Sequence, residues 1–160
     1  MALEIADIPN QRIGVVGGGT MGVGIAYVFA MAGFQVSLVE PDKIRADRAI
    51  QTMRDAAAGA VKRGKATQAN ADARIGSVKT LQSAGDLPEG LDLVIETVPE
   101  RRGIKDKVLA EIDTRHPAII ASNTSALSIN DLAGAVKDPS RFVGMHFFNP
   151  APVQAFVEIV

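Results

Sequence analysis

The stretch RIGVVGGGTMGVGIAYVFAMAGFQVSLVE, from Arg12 to Glu40, decides the fold. An apolar run (Ile13, Val15, Val16) reads as a strand and stops at Gly17-Gly18-Gly19-Thr20-Met21-Gly22. A helical segment follows, with Met21, Ile25, Phe29 and Ala32 at helical spacing and expected on one buried face. Gly33 stands where that helix should end, and Phe34 to Glu40 restarts as a second strand closed by an acid. Gly17, Gly19 and Gly22 satisfy G-x-G-x-x-G. In that pattern the first glycine makes the tight turn, the second lets backbone approach a pyrophosphate, and the third lets the helix pack closely on the sheet. The free N–H groups of the helix start favour phosphate, and Glu40 is placed to accept from the hydroxyls of an adenosine ribose. Strand, turn, helix, strand and terminal acid occur in order, which predicts dinucleotide binding rather than a merely structural glycine turn.

The chain has 160 residues, enough for one domain (1–160) with a real core. Charged residues make up 22% and the formal net charge is −1, which offers no basic footprint for nucleic acid. Cysteine is absent, so disulfide and thiolate chemistry are excluded, and no His/Asp/Glu spacing suggests a metal. No apolar run is long enough for a membrane span, and Met1–Asn10 reads as a short lead-in without the features of a signal peptide. The default expectation is a cytoplasmic protein with no membrane partner.

Beyond Glu40, a long helix is expected from Asp42 to about Lys65, with Ile44, Ile50, Met53, Ala57 and Val61 as its apolar stripe and Gly64 as its stop. Thr67 is placed to cap a second helix through Arg74, making a helical hairpin before extended structure at Ile75–Leu81. Leu91–Val98 reads as a strand buried on both faces. A helix over Gly103–Thr114 should turn Ile104, Val108, Leu109 and Ile112 inward. Strands at Ala118–Ala121, Phe142–Phe148 and Phe156–Val160 complete the pattern, with Ser128 and Asp131 capping a short helix between the first two. The whole predicts an α/β, Rossmann-like, doubly wound and mostly parallel sheet with a helical-hairpin insertion. Ligands of such sheets bind beyond the carboxyl ends of the strands.

Three polar clusters fall at those ends: Glu96–Glu100, Ser122–Ser125 and His146–Asn149. With the glycine turn, the Ser122-Asn123-Thr124-Ser125 loop, the Gly144-Met145-His146-Phe147-Phe148-Asn149-Pro150 block and the closing Val157-Glu158-Ile159-Val160, the chain resembles the L-3-hydroxyacyl-CoA dehydrogenase family from Arg12 to its last residue. The resemblance implies NAD as cofactor and hydride transfer at carbon 3 of an acyl-CoA substrate. It implies His146 as general acid/base, Glu158 as the carboxylate that orients it, and Ser125 as a contact to both substrate and cofactor. It adds Gly17 to Gly22, Glu40, Glu100, Lys105, Ser125 and Asn149 as cofactor-binding residues, and Arg63, flanked by Lys62 and Lys65, as a contact to CoA phosphate. A base titrating near neutrality suits removal of a hydroxyl proton, and imidazole supplies one. The plain alternatives are a core histidine, an edge-strand charge at Glu158, turn residues at Ser125 and Asn149, a helix-start pair at Glu100 and Lys105, and solvated charges around Arg63. Asn123 and Thr124 are expected to hold their loop, and His116 to face solvent.

Two positions depart from the family pattern. Glu40 replaces the usual Asp and is one methylene longer, and Pro99 stiffens the approach to Glu100. The resemblance also implies a helical second domain beyond Val160 that closes over substrate, a homodimer at full length, and low turnover with self-association for the 160 residues alone. Two rivals keep the same fold: a dehydrogenase of a free 3-hydroxy acid of the gulonate or carnitine type, and a crystallin-like protein that binds NAD without turnover.

Overall fold

The structure, a computed structural model, describes residues 11–160, so the lead-in expected at Met1–Asn10 lies outside the described residues. β1 (Arg12–Val16) runs into α1 (Thr20–Ala32), which returns through β2 (Gln35–Val39). α2 (Lys43–Lys62) and α3 (Gln68–Gly76) form the hairpin, followed by β3 (Lys79–Leu81). The second half contains β4 (Leu93–Glu96), α4 (Arg102–Asp113), β5 (Ile119–Ser122), α5 (Ile129–Ala133), β6 (Phe142–Phe147) and β7 (Val157–Ile159). The sheet order is β3-β2-β1-β4-β5-β6-β7, parallel throughout except for the antiparallel β6–β7 pair. The chain reverses its winding between β1 and β4, and the crevice there opens at the carboxyl ends of both strands.

Alternate residues of the central strands feed two cores. Ile13, Val15, Val36, Leu38 and Ile95 pack with α1, α2 and α3, while Val16, Val39, Val94 and Ile120 pack with α4 and α5. Burial on both faces is what the near-continuous apolar runs require, since a parallel sheet is covered on each side by its crossover helices.

Several local expectations are corrected. In α1 the buried residues are Gly22, Val23, Ile25, Ala26 and Ala30, and Ala32 is exposed. In α2 the inner stripe is Ala46, Ala49, Met53, Ala57 and Ala60, leaving Ile44 72% exposed. Small alanines let α2 lie close against its neighbours, and Ile44 sits on the opposite face near the helix start. Ile75 closes α3 and is buried instead of opening a strand. In α4 the inward residues are Lys105, Leu109 and Ile112, with Ile104 turned outward. Thr67, Asp42 and Ser128 do cap their helices, each through its side-chain oxygen. His116 is exposed, with a φ of 50° at the exit of α4. No helix among the described residues is long and apolar enough to cross a membrane, and none of their His, Asp and Glu side chains group as metal ligands.

Candidate active site

The glycine turn is shaped by three different constraints. Gly17 has a φ of 113°, and its N–H donates to the Val39 carbonyl at 2.9 Å. A Cβ there would stand 2.8 Å from Thr97 Oγ1. At Gly22 a Cβ would come within 1.8 Å of the Gly17 carbonyl oxygen, so this glycine packs α1 against the turn itself and Thr97 rather than against the sheet. Around Gly19 a Cβ would meet nothing within 4 Å, which is the open approach a diphosphate needs. No side chain caps α1, so its first N–H groups are directed at that space. Gly18, Gly19 and Thr20 line a cleft of about 460 Å³, with Tyr27, Arg45 and Arg48 on its far wall.

Glu40, only 5% exposed, bonds two residues that line this cleft, Gly18 and Arg45. One carboxylate oxygen accepts from Gly18 N–H at 3.2 Å; the other accepts from Asp42 N–H at 3.1 Å and from Arg45 Nη2 at 2.7 Å. The carboxylate therefore ties the glycine turn to the start of α2.

Asn149 lines both this cleft and a second cavity of about 270 Å³, while Pro150 lines the first only. Met21, Glu100, Lys105, Ser125 and His146 line the second cavity. A long two-part ligand fits this arrangement, with a diphosphate at the glycines and one end in each cavity. Ser125 is exposed at the rim. Asn123 holds the loop beneath it by accepting Phe147 N–H at 2.8 Å, and Thr124 bonds the Glu100 carboxylate through its hydroxyl.

The floor of the second cavity is a buried charge network centred on Glu96, which has no exposed surface. Lys105 Nζ donates to both Glu96 oxygens at 2.8 and 3.0 Å, to the Val98 carbonyl at 3.2 Å, and lies 3.3 Å from Glu100. Ser122 Oγ donates to Glu96 at 2.6 Å, as does Val98 N–H at 2.6 Å. Lys105 is therefore more than a helix-start partner for Glu100: its stem is sealed in α4 and its ammonium is shared by two acids. Partial burial works to raise the Glu100 carboxyl, but bonds from Thr124 and Lys105, together with the lysine charge, outweigh it and hold the group below its usual range.

His146 and Glu158 face each other directly across β6 and β7. His146 Nδ1 lies 3.2 Å from a Glu158 oxygen, which leaves Nε2 without a protein partner among the described residues. The imidazole packs against Phe148, with ring centroids 4.5 Å apart.

Arg63 does not join this group. It caps the C-terminus of α2 and lines a third cavity with Tyr27, Lys65, Asn70, Arg74 and Val153. Burial raises the Tyr27 hydroxyl above its ordinary range, and the Arg63 charge offsets part of that. Sequence reading passed over the bonding of Glu96, Ser122 and Arg45. An acid ending a fully apolar strand marks Glu96 in retrospect, because such a position is buried and its charge needs a partner. Arg45 had no comparable signal, since its reach back to Glu40 depends on where Asp42 starts α2.

The family described as 3-hydroxyacyl-CoA dehydrogenase, NAD binding domain, matches residues 12–160. A 3-hydroxybutyryl-CoA dehydrogenase of Mycobacterium tuberculosis is 40% identical over 153 residues, which are 94% of this chain and 53% of that protein. The fatty acid oxidation complex subunit alpha of Pseudomonas putida is 36% identical over 159 residues, 98% of this chain and 22% of that subunit. Among solved structures, 3-hydroxybutyryl-CoA dehydrogenase from Escherichia coli superposes with a TM-score of 0.87 at 36% identity, covering 93% of this chain and 32% of that one. The chain spans about half the length of the 3-hydroxybutyryl-CoA dehydrogenases among its curated relatives. With a Rossmann sheet, a glycine cradle open at Gly19 and a family match over nearly its whole length, the chain belongs to the NAD-binding domain family of the 3-hydroxyacyl-CoA dehydrogenases, and NAD is its cofactor.

Proposed function

We propose that the protein oxidises L-3-hydroxyacyl-CoA to 3-oxoacyl-CoA, and runs the reverse reaction, with His146 as general acid/base. The observation that carries this reading is the His146–Glu158 pair at 3.2 Å on the wall of a cavity that adjoins the glycine cradle. Held by the glycine turn, NAD would supply the acceptor for the hydride from carbon 3. The hydroxyl proton passes to Nε2 of His146, the ring nitrogen that Glu158 leaves free. Glu158 fixes the tautomer with the proton on Nδ1 and stabilises the imidazolium that forms. Ser125, at the cavity rim, is assigned to orient the substrate oxygen toward Nε2. Glu100, Lys105 and Asn149 are assigned to the nicotinamide end, while Gly17 to Gly22 and Glu40 hold the diphosphate and adenosine ribose.

The basic edge formed by Arg63 and Lys65 supports a CoA phosphate contact, about the length of α2 away from Glu40. The half-length overlap with the Mycobacterium tuberculosis relative supports a second domain in the full-length enzyme; that this domain is helical and closes over the acyl chain, and that the enzyme is a homodimer, are parts of the same proposal. Steady-state reduction of acetoacetyl-CoA by NADH tests the reading in the full-length enzyme. Turnover should fall by roughly 10²- to 10⁴-fold in His146→Gln, with NADH affinity little changed. Nearly full activity in that variant would remove the assignment. A free 3-hydroxy acid turned over faster than the thioester would move the substrate to the gulonate or carnitine class. NAD binding without turnover of either would leave a crystallin-like role.

A further inference from the structure

The charged side chains beneath the second cavity close on themselves as a ring. Ser122 Oγ donates to Glu96 at 2.6 Å and accepts from Thr124 N–H at 3.3 Å. Thr124 in turn donates its hydroxyl to one Glu100 oxygen, and Lys105 Nζ lies 3.3 Å from the other. Lys105 completes the ring through its bonds to Glu96 at 2.8 and 3.0 Å. Glu96, Lys105, Ser122 and Thr124 are buried, whereas 40% of the Glu100 side chain is exposed, so Glu100 is where the ring meets the cavity. Two carboxylates share one ammonium, which leaves one net negative charge. The three N–H donors of Lys105 are spent on Glu96, Glu100 and the Val98 carbonyl. Among the described residues no other lysine or arginine lines this cavity, so the excess charge has no second counter-ion. The bonds that hold the Glu100 carboxyl below its usual range keep it ionised at neutral pH.

We propose that this ring discriminates between the redox forms of the cofactor: its net negative charge favours the cationic nicotinamide of oxidised NAD and gives nothing to the neutral dihydropyridine of NADH. The floor thereby pulls the bound couple toward the oxidised form. Glu96 has a part in this besides shape. Without it, the Lys105 charge would cancel that of Glu100 and the floor would be neutral; with Glu96 occupying the lysine from behind, the Glu100 charge stays uncancelled. Burial of the other members keeps water from screening the ring on that side, which strengthens its field toward the cavity.

The inference rests on the assignment of the nicotinamide end to the second cavity, and calorimetric titration of the protein with oxidised NAD, NADH and ADP-ribose, which lacks the nicotinamide, separates the two claims. In Glu100→Gln the ratio of the Kd for oxidised NAD to that for NADH should rise about three- to thirtyfold, with ADP-ribose affinity unchanged. Glu96→Gln should move the ratio in the same direction. Adding Lys105→Met to Glu96→Gln restores one net negative charge and should bring the ratio back toward that of the parent. Ser122→Ala breaks a link of the ring without changing its charge, and the ratio should stay where it is. Glu100→Gln alters a partly exposed side chain, so its result stands even where the buried variants fail to fold. An equal loss of affinity for both redox forms in Glu100→Gln overturns the redox preference while leaving the nicotinamide in this cavity, as does a ratio that moves as far in Ser122→Ala. Unchanged affinity for both forms in Glu100→Gln overturns the placement of the nicotinamide itself.

Discussion

A carboxylate with no contact to water needs a partner for each oxygen, and Glu96 has them in Lys105, Ser122 and the Val98 N–H. Its role is structural support at one remove from chemistry: it fixes Lys105, which in turn draws Glu100 toward the second cavity. Removing one member of a buried ion pair leaves the other charge stranded, at a cost of about 3–5 kcal/mol. Glu96→Ala should therefore lose roughly that much stability in urea unfolding, whereas Ser122→Ala, which deletes one neutral donor, should lose less. Equal stability of Glu96→Ala and the parent protein would mean that Lys105 finds a compensating acceptor. Beside His146, Glu158→Gln keeps the shape of the contact and removes its charge. Turnover should fall by less than in His146→Gln, and a loss as large as that of the histidine variant would make Glu158 more than an orienting group.

The loop from β4 to α4 carries an acid-sensitive contact. Glu100 accepts from Thr124 and from Ala126 N–H and lies beside Lys105, so it ties this loop to the one after β5. A group whose folded pKa is lowered contributes stability that is present above its unfolded value and is lost as pH falls through the folded one. For Glu100 the window therefore opens below the ordinary value of 4.5. Melting temperatures followed from neutral pH downward should decline less steeply in Glu100→Gln than in the parent over that acid range, and parallel curves would refute the contribution. α2 makes a different contribution at this scale. Its buried residues are alanines apart from Met53, which is fully buried and also forms part of the cleft wall. Met53→Ala should cost about 2–5 kcal/mol, since a close-packed site collapses only in part around the space left.

At the scale of the whole molecule, the sheet ends in β7, which among the described residues pairs with β6 on one side only. Phe156, Ile159 and Val160 are each at least 60% exposed there, beside Val153 at 75%. An unpaired edge flanked by exposed apolar side chains is a template for another strand or surface. The 160-residue protein is expected to self-associate through this edge, visible as a rising mass in light scattering across a concentration series. Ile159→Lys should suppress the rise, and a monomer at every concentration would show that the edge is inert.

The doubly wound fold was legible from local pattern because its determinants are local: an apolar run, a glycine turn with defined spacing, a helical repeat and a second run, repeated with little variation. The same holds for helix caps such as Asp42, Thr67 and Ser128, where one side chain meets its own helix. The pairing of His146 with Glu158 was legible only through the family resemblance, since residues 148–156 separate β6 from β7 and no local pattern fixes how the two strands meet. Which side of α2 and α4 faces inward was decided only in the tertiary structure. A helix with apolar residues on more than one face is oriented by the room its neighbours leave, so Ile44 and Ile104 turn outward while alanines and Lys105 turn in. The charge network around Glu96 and the Arg45 contact with Glu40 belong to the same class. Each depends on distances between elements that only packing sets, and no spacing along the chain carries that information.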